Sequence, residues 1–228
     1  MAFATSPPAR SQSPAAAPNP KVRPRFRGIP DVVAALAAVP AVALLIRRAH
    51  AGVCGTAASI YGTSLILLFA TSAIYHAFYW PLHVRDILKR FDHAMVYVLI
   101  AGSYTPVALA ALPPRPGLVL LSMVWAVALL GIVKSFVWTT APRLLNTAIY
   151  IAMGWLVLPF LPSVYRGLGA FDMGLLATGG VVYTLGGLIY ARRWPNPDPR
   201  TFGYHEVFHL FVIAAAACHF ATMWKLLT

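Results

Sequence analysis

The residues richest in possible chemistry lie near the end of the chain, in the segment His205-Glu206-Val207-Phe208-His209. On an α-helix, positions four apart project from one face, here about 6 Å apart along the axis. Two neutral imidazoles placed in this way suit two ligands of a tetrahedral zinc ion. Two histidines satisfied by neighbouring helices would show the same spacing, so the reading needs a third ligand. His76 supplies a third nitrogen. Three protein ligands leave one coordination position for water, the arrangement of catalytic rather than structural zinc. Asp92 is then the candidate to orient that water and take its proton. Its plainer role would be a helix-start carboxylate facing the positive end of a helix dipole. Ser72 lies four residues before His76, on the same helix face. It could hydrogen-bond the water, Asp92 or a developing oxyanion, or simply a carbonyl of its own helix. Glu206, the only glutamate in the chain, competes with Asp92 for the role of base. A place behind the ligands or at the membrane interface is its preferred reading.

These groups come from distant parts of the chain, so the elements that carry them must bring them to one place. The 228 residues are 59% hydrophobic and only 11% charged, where soluble domains carry about 25% charge. A soluble fold of this size could not hide that apolar surface, so lipid must be much of the solvent. Apolar runs occur at about 30–47, 55–80, 93–112, 117–137, 144–163, 173–191 and 204–227. Most approach the ~20 residues a helix needs to cross hydrocarbon. Clusters such as Pro113-Pro114-Arg115-Pro116-Gly117 separate them. The expected fold is an all-α bundle of seven transmembrane helices over residues 29–228. The first run is the weakest: Asp31 opens it and Pro40 interrupts it. With all seven runs crossing, most of the 18 Lys and Arg residues fall on one side, which the positive-inside rule makes cytoplasmic. The N-terminus is therefore expected in the cytoplasm and the C-terminus outside.

On this topology His76 and Ser72 lie near the cytoplasmic end of span 2. Asp92 lies in the first turn of span 3, and His205, Glu206 and His209 lie in the first turns of span 7. All share one membrane depth, and ionisable residues inside membranes commonly mark function. His219 lies about 15 Å deeper than His209 and reads as a satisfied core histidine. His93 points from another face of its helix, Lys134 snorkels to the inner interface, and His50 and His83 are loop residues. Gly102-Ser103-Tyr104-Thr105-Pro106 reads as a close-packing segment with a kink.

Residues 1–28 are rich in Pro, Ala and Ser, then basic. They read as a disordered cytoplasmic tail rather than a cleaved signal peptide. The net charge of +12 serves orientation and anionic lipid headgroups rather than nucleic acid. Cys54 and Cys218 fall in or beside apolar runs and exclude a disulfide framework.

The motifs Ser72-Ala-Ile-Tyr-His76, Phe91-Asp92-His93-Ala94, Gly102 to Pro106 and His205 to His209 occur in this order. In this the sequence resembles bacterial hemolysin III proteins, a branch of the progestin and adipoQ receptor family that includes the adiponectin receptors. The resemblance covers about residues 28–227. It implies a seven-helix bundle with a cytoplasmic N-terminus in the bacterial inner membrane. It also implies zinc on His76, His205 and His209, Asp92 against the zinc-bound water, and Ser72 beside it. Eukaryotic relatives resemble alkaline ceramidases and are credited with lipid amide hydrolysis, while bacterial members are named for haemolytic, pore-forming activity. Three functions follow as expectations. The first is zinc-dependent hydrolysis of a membrane lipid amide or ester. The second is membrane perturbation with zinc as a structural staple. The third is intramembrane zinc peptidase activity with Glu206 as base.

Overall fold

The computed structural model describes residues 23–228, so residues 1–22 of the expected tail lie outside the described residues. The described chain is helical throughout, with no strand among the described residues. Its helices are α1 (Ile29–Arg48), α2 (Val53–Ala77), α3 (Leu82–Pro106), α4 (Pro114–Val137), α5 (Arg143–Gly154), α6 (Leu161–Arg192) and α7 (Tyr204–Leu227). Among the described residues, six helical stretches are long and apolar enough to cross a membrane. Leu36, Leu118, Leu130 and Val133 stand exposed on outer helix faces. A soluble protein does not leave so much apolar surface to water, and lipid is its natural solvent.

The doubtful first run is a 20-residue helix, and Pro40 sits inside it without ending it. Runs five and six are joined rather than separated by a loop. Helical structure continues from Arg143 to Arg192 over 50 residues, broken in direction at Gly169, whose φ of 77° and ψ of 173° are outside helical space. Trp155 Nε1 donates to Thr184 Oγ1 at 3.1 Å, and Thr147 and Ile151 pack against Gly187. Sequence positions rise along one arm as they fall along the other, so the chain doubles back at Gly169. A glycine is needed there because its positive φ is costly for a residue with a Cβ.

The third span differs from expectation. The sequence places its start beside Asp92, with residues 81–92 as a loop, whereas α3 begins at Leu82. Charged residues hide this extension from a search for apolar runs. Val84 and Leu88 are half-buried and four apart, and Arg85 and Asp86 are exposed, which is an amphipathic helical turn. Asp92 therefore lies in the third turn of α3, and the helix-start dipole role does not apply to it.

The core is built where α2 and α3 meet α1 and α4, around Tyr61, Leu65, Tyr97, Leu120 and Val124, all buried. Small residues let these helices approach. A Cβ on Gly102 would fall 2.1 Å from Ser64 Oγ, and one on Gly131 would fall 2.3 Å from the Tyr97 ring. After Pro106 the helix widens into a π-turn over Val107–Ala111, so the Gly102–Pro106 segment combines close packing with a local distortion. Tyr104 then ties α3 to the end of α5, its hydroxyl donating to Gly154 O at 2.6 Å and accepting from Val157 N–H at 3.1 Å.

Candidate metal centre

His76 lies one residue before the end of α2, and His205 and His209 lie in the first two turns of α7. All three are buried. His76 Nε2 and His205 Nε2 are 3.3 Å apart, and one nitrogen from each of the three rings falls within 4.8 Å of the others. Two nitrogens on a tetrahedral ion with bonds of about 2.0–2.1 Å lie roughly 3.3 Å from each other, so the separation suits a metal. His209 Nε2 is buried with no hydrogen-bond partner among the described residues. A buried imidazole nitrogen left bare is costly unless something takes its lone pair. The three histidines can thus hold a metal ion, as the His-x-x-x-His spacing and His76 together predict.

Asp92 Oδ2 lies 3.9 Å from His76 Nε2, beside the cluster and not bonded to it. Ser72 Oγ is buried without a hydrogen-bond partner among the described residues, one helical turn along α2 from His76. Ser72, Asp92 and all three histidines line a single cavity of about 370 Å³. The cavity runs between α2, α3, α5, α6 and α7 and is walled mainly by apolar residues such as Leu68, Val96, Met173 and Val212.

Glu206 is occupied elsewhere. Its Oε2 accepts the Gly203 N–H at 2.8 Å, closing the first turn of α7, and its Oε1 accepts from Arg27 Nη1 at 3.3 Å. Its carboxylate, 1% exposed, holds backbone and an arginine rather than facing the cavity. His219 donates from Nε2 to Leu176 O at 3.2 Å and packs on Tyr183. Its Nδ1 is buried without a hydrogen-bond partner among the described residues and the residue also lines the cavity, so the expected core histidine is satisfied at one nitrogen only. Lys134 donates to Asn146 Oδ1. His93 enters the cavity wall, while its backbone carbonyl accepts from Tyr150.

Two residues belong to this site that sequence reasoning did not place there. Asp31 is 1% exposed, and its Oδ1 lies 2.7 Å from His209 Nδ1. A carboxylate behind a ligating histidine holds the proton on the far nitrogen and leaves the near one free for metal. The sequence signal is an ionisable residue at the end of a span, at the same expected depth as the histidines. In the sequence it marks only the opening of the weakest span. Arg27 Nε donates to His76 Nδ1 at 3.3 Å. Residues 23–28, the last of the expected tail, form a turned strap across this end of the bundle. Arg23 donates to the carbonyls of His76 and Phe78. Arg25 and Phe26 donate backbone N–H groups to Arg200 and Thr201. Gly28 has φ of 83°, and a Cβ there would fall 2.5 Å from Ala77 N, so the strap needs glycine to cross beside His76.

Apolar membrane-length helices, lipid-facing side chains and a buried three-histidine cluster at one end define an integral membrane protein with a candidate metal centre. The chain belongs to the haemolysin-III related family, whose profile matches residues 21–220. It is 35% identical over 162 residues to the Hemolysin-3 homolog of Bacillus subtilis (strain 168), covering 71% of this chain and 73% of that protein. It is 32% identical over 193 residues to Hemolysin-3 of Bacillus cereus, covering 82% and 84%. The human Monocyte to macrophage differentiation factor is 30% identical over 173 residues, covering 74% of this chain and 69% of that protein. The resemblance read from the motifs is borne out at the level of the family.

Proposed function

We propose that this protein is a zinc-dependent hydrolase of a membrane lipid amide or ester, with seven membrane crossings, a cytoplasmic N-terminus and an external C-terminus. The observation that carries the chemistry is the meeting of three buried imidazoles, the Asp92 carboxylate and the Ser72 hydroxyl on one largely apolar cavity. Zinc on His76, His205 and His209 would supply Lewis acidity and a water acidic enough to ionise near neutral pH. Asp92, 3.9 Å from His76 Nε2, takes the proton of the attacking water and returns it to the leaving group. The Ser72 hydroxyl donates to the oxyanion as it develops. The cavity walls hold the acyl chain and keep bulk water out. Support for seven crossings comes from the reversal at Gly169, which makes two spans of the longest helical stretch, and from the clustering of basic residues on one side. That side would face the cytoplasm of a bacterial inner membrane.

Asp92→Asn should abolish turnover of a lipid amide or ester while the metal content of the purified protein stays at the wild-type level. Full turnover by this variant would remove Asp92 as the base. The peptidase reading predicts Glu206→Gln as the inactivating change, but Glu206 already serves Gly203 and Arg27. The name of the Bacillus cereus relative favours one further reading, in which the metal only staples helices in a membrane-perturbing protein. Leakage of liposomes caused equally by wild type and His76→Ala protein would support that reading over hydrolysis.

A further inference from the structure

Beside the apolar cavity lies a second pocket of about 490 Å³ whose lining includes Lys89, His93, Arg143, Asn146, Tyr190 and Arg193 and contains no Asp or Glu. Lys89 and Arg143 are half-buried and Arg193 is exposed at the rim. None of these three cations is in an ion pair among the described residues. Half-buried cations without counter-charges favour an anion, because desolvation without pairing is costly. The Arg143 guanidinium is held ready, 5.0 Å above the Tyr190 ring and within 3.5 Å of the Tyr190 carbonyl. The two pockets adjoin, since Lys89, His93, Arg143, Asn146 and Tyr190 line both. Lys89 precedes Asp92 by three residues, an axial rise of about 4.5 Å on the helix.

We propose that this basic pocket binds the phosphate of a lipid headgroup while the acyl chain enters the apolar cavity, which makes the substrate class an anionic phospholipid. This deepens the hydrolase reading and rests on it for the word substrate. The binding itself needs only the two pockets. A phosphate offers several oxygens to cations approaching from different elements, here α3, α5 and the end of α6. In a phospholipid only a few bonds separate the phosphate from the nearest acyl carbonyl. A phosphate beside Lys89 and Arg143 therefore brings that carbonyl towards Asp92 and the histidines. The rest of the chain continues along the apolar walls.

The test is equilibrium binding to the full chain in neutral detergent micelles. It uses fluorescent phosphatidic acid and diacylglycerol with identical acyl chains, and inorganic phosphate as competitor. Phosphatidic acid should bind about 100-fold more tightly than diacylglycerol. The double variant Lys89→Ala/Arg143→Gln should bring the two within a few-fold, and Lys89→Arg/Arg143→Lys should keep most of the preference. Should the double variant fail to fold, Lys89→Ala alone should lose about tenfold. Equal affinities in wild type, or an unchanged preference in a folded variant lacking these cations, would overturn the proposal. So would displacement by inorganic phosphate at the same concentration, which would mark a free-anion site. A preference kept by His76→Ala protein, alongside absent lipid turnover by wild type, would remove the hydrolase reading and leave the headgroup site standing.

Discussion

Helix α7 carries histidines at two levels, and they behave differently. Near its start, His205 and His209 meet His76 from α2 and Asp31 from α1, and Asp92 from α3 lies 3.9 Å from His76. About 15 Å further along, His219 meets a carbonyl of α6 and a tyrosine ring, and it joins no cluster of possible metal ligands among the described residues. The charged groups follow the same division. At the first level a buried carboxylate stands behind a histidine whose other nitrogen is bare. Towards the far end Asp172 pairs with the half-exposed Lys225 at 2.9 Å, joining α6 to α7. One residue type on one helix thus serves two purposes, and the difference lies in what the neighbouring helices bring. Three nitrogens converging from two helices make a place for an ion. One imidazole with a backbone acceptor on one nitrogen and no partner on the other among the described residues does not.

Substitutions at the two levels should separate these roles most widely in metal content. Purified His76→Ala and His209→Ala proteins should fall to background by elemental analysis, and His219→Ala should retain the wild-type ratio. Loss of metal from His219→Ala would erase the contrast. Next in size is the carboxylate behind the ligand. Asp31→Asn keeps the shape but weakens the orientation of His209, and should lower metal affinity by about 10–100-fold in a chelator competition. Asp172→Asn should leave that affinity unchanged and cost no more than about 1 kcal/mol of stability.

At the far level the expected effect is on packing. A Cβ on Gly179 would stand 2.3 Å from His219 Cδ2, so Gly179→Ala should destabilise by about 1–3 kcal/mol. A lower thermal midpoint with unaltered metal binding would show it. The smallest expected effect concerns Arg27. By donating to His76 Nδ1 it favours the tautomer with the proton on Nε2, which then donates to His205. A metal on Nε2 requires the opposite tautomer, so Arg27 and the metal compete for His76. Arg27→Gln should therefore raise metal affinity by about two- to fivefold. Lower affinity in this variant would make Arg27 a supporter of the site instead.

Much of the site was legible because helical spacing is local. The pairs Ser72/His76 and His205/His209 must share a face wherever their helices lie, and the topology puts Asp92 at the same end. The chain's composition alone required lipid around it. Other features depended on groups brought from elsewhere. Glu206 has the sequence position of a base, and only the nearness of Gly203 N–H and Arg27 assigned it to the helix start. In the sequence Asp31 opens a weak span, and only the packing of α1 against α7 gives it His209 as a partner. The start of α3 at Leu82 was hidden by the charges on its exposed face.

From its own residues, then, the chain determined that it lives in a membrane, where most of its apolar helical segments lie, and which imidazoles face the same way. The tertiary structure decided which carboxylate stands behind which histidine, that the strap of residues 23–28 crosses beside His76, and that the long stretch from Arg143 reverses at Gly169. The physical reason is that periodicity sets a side chain's direction within its own helix. Its partner on another helix depends on rotation and closeness, which are set by contacts such as Gly102 on Ser64 and Gly28 on Ala77.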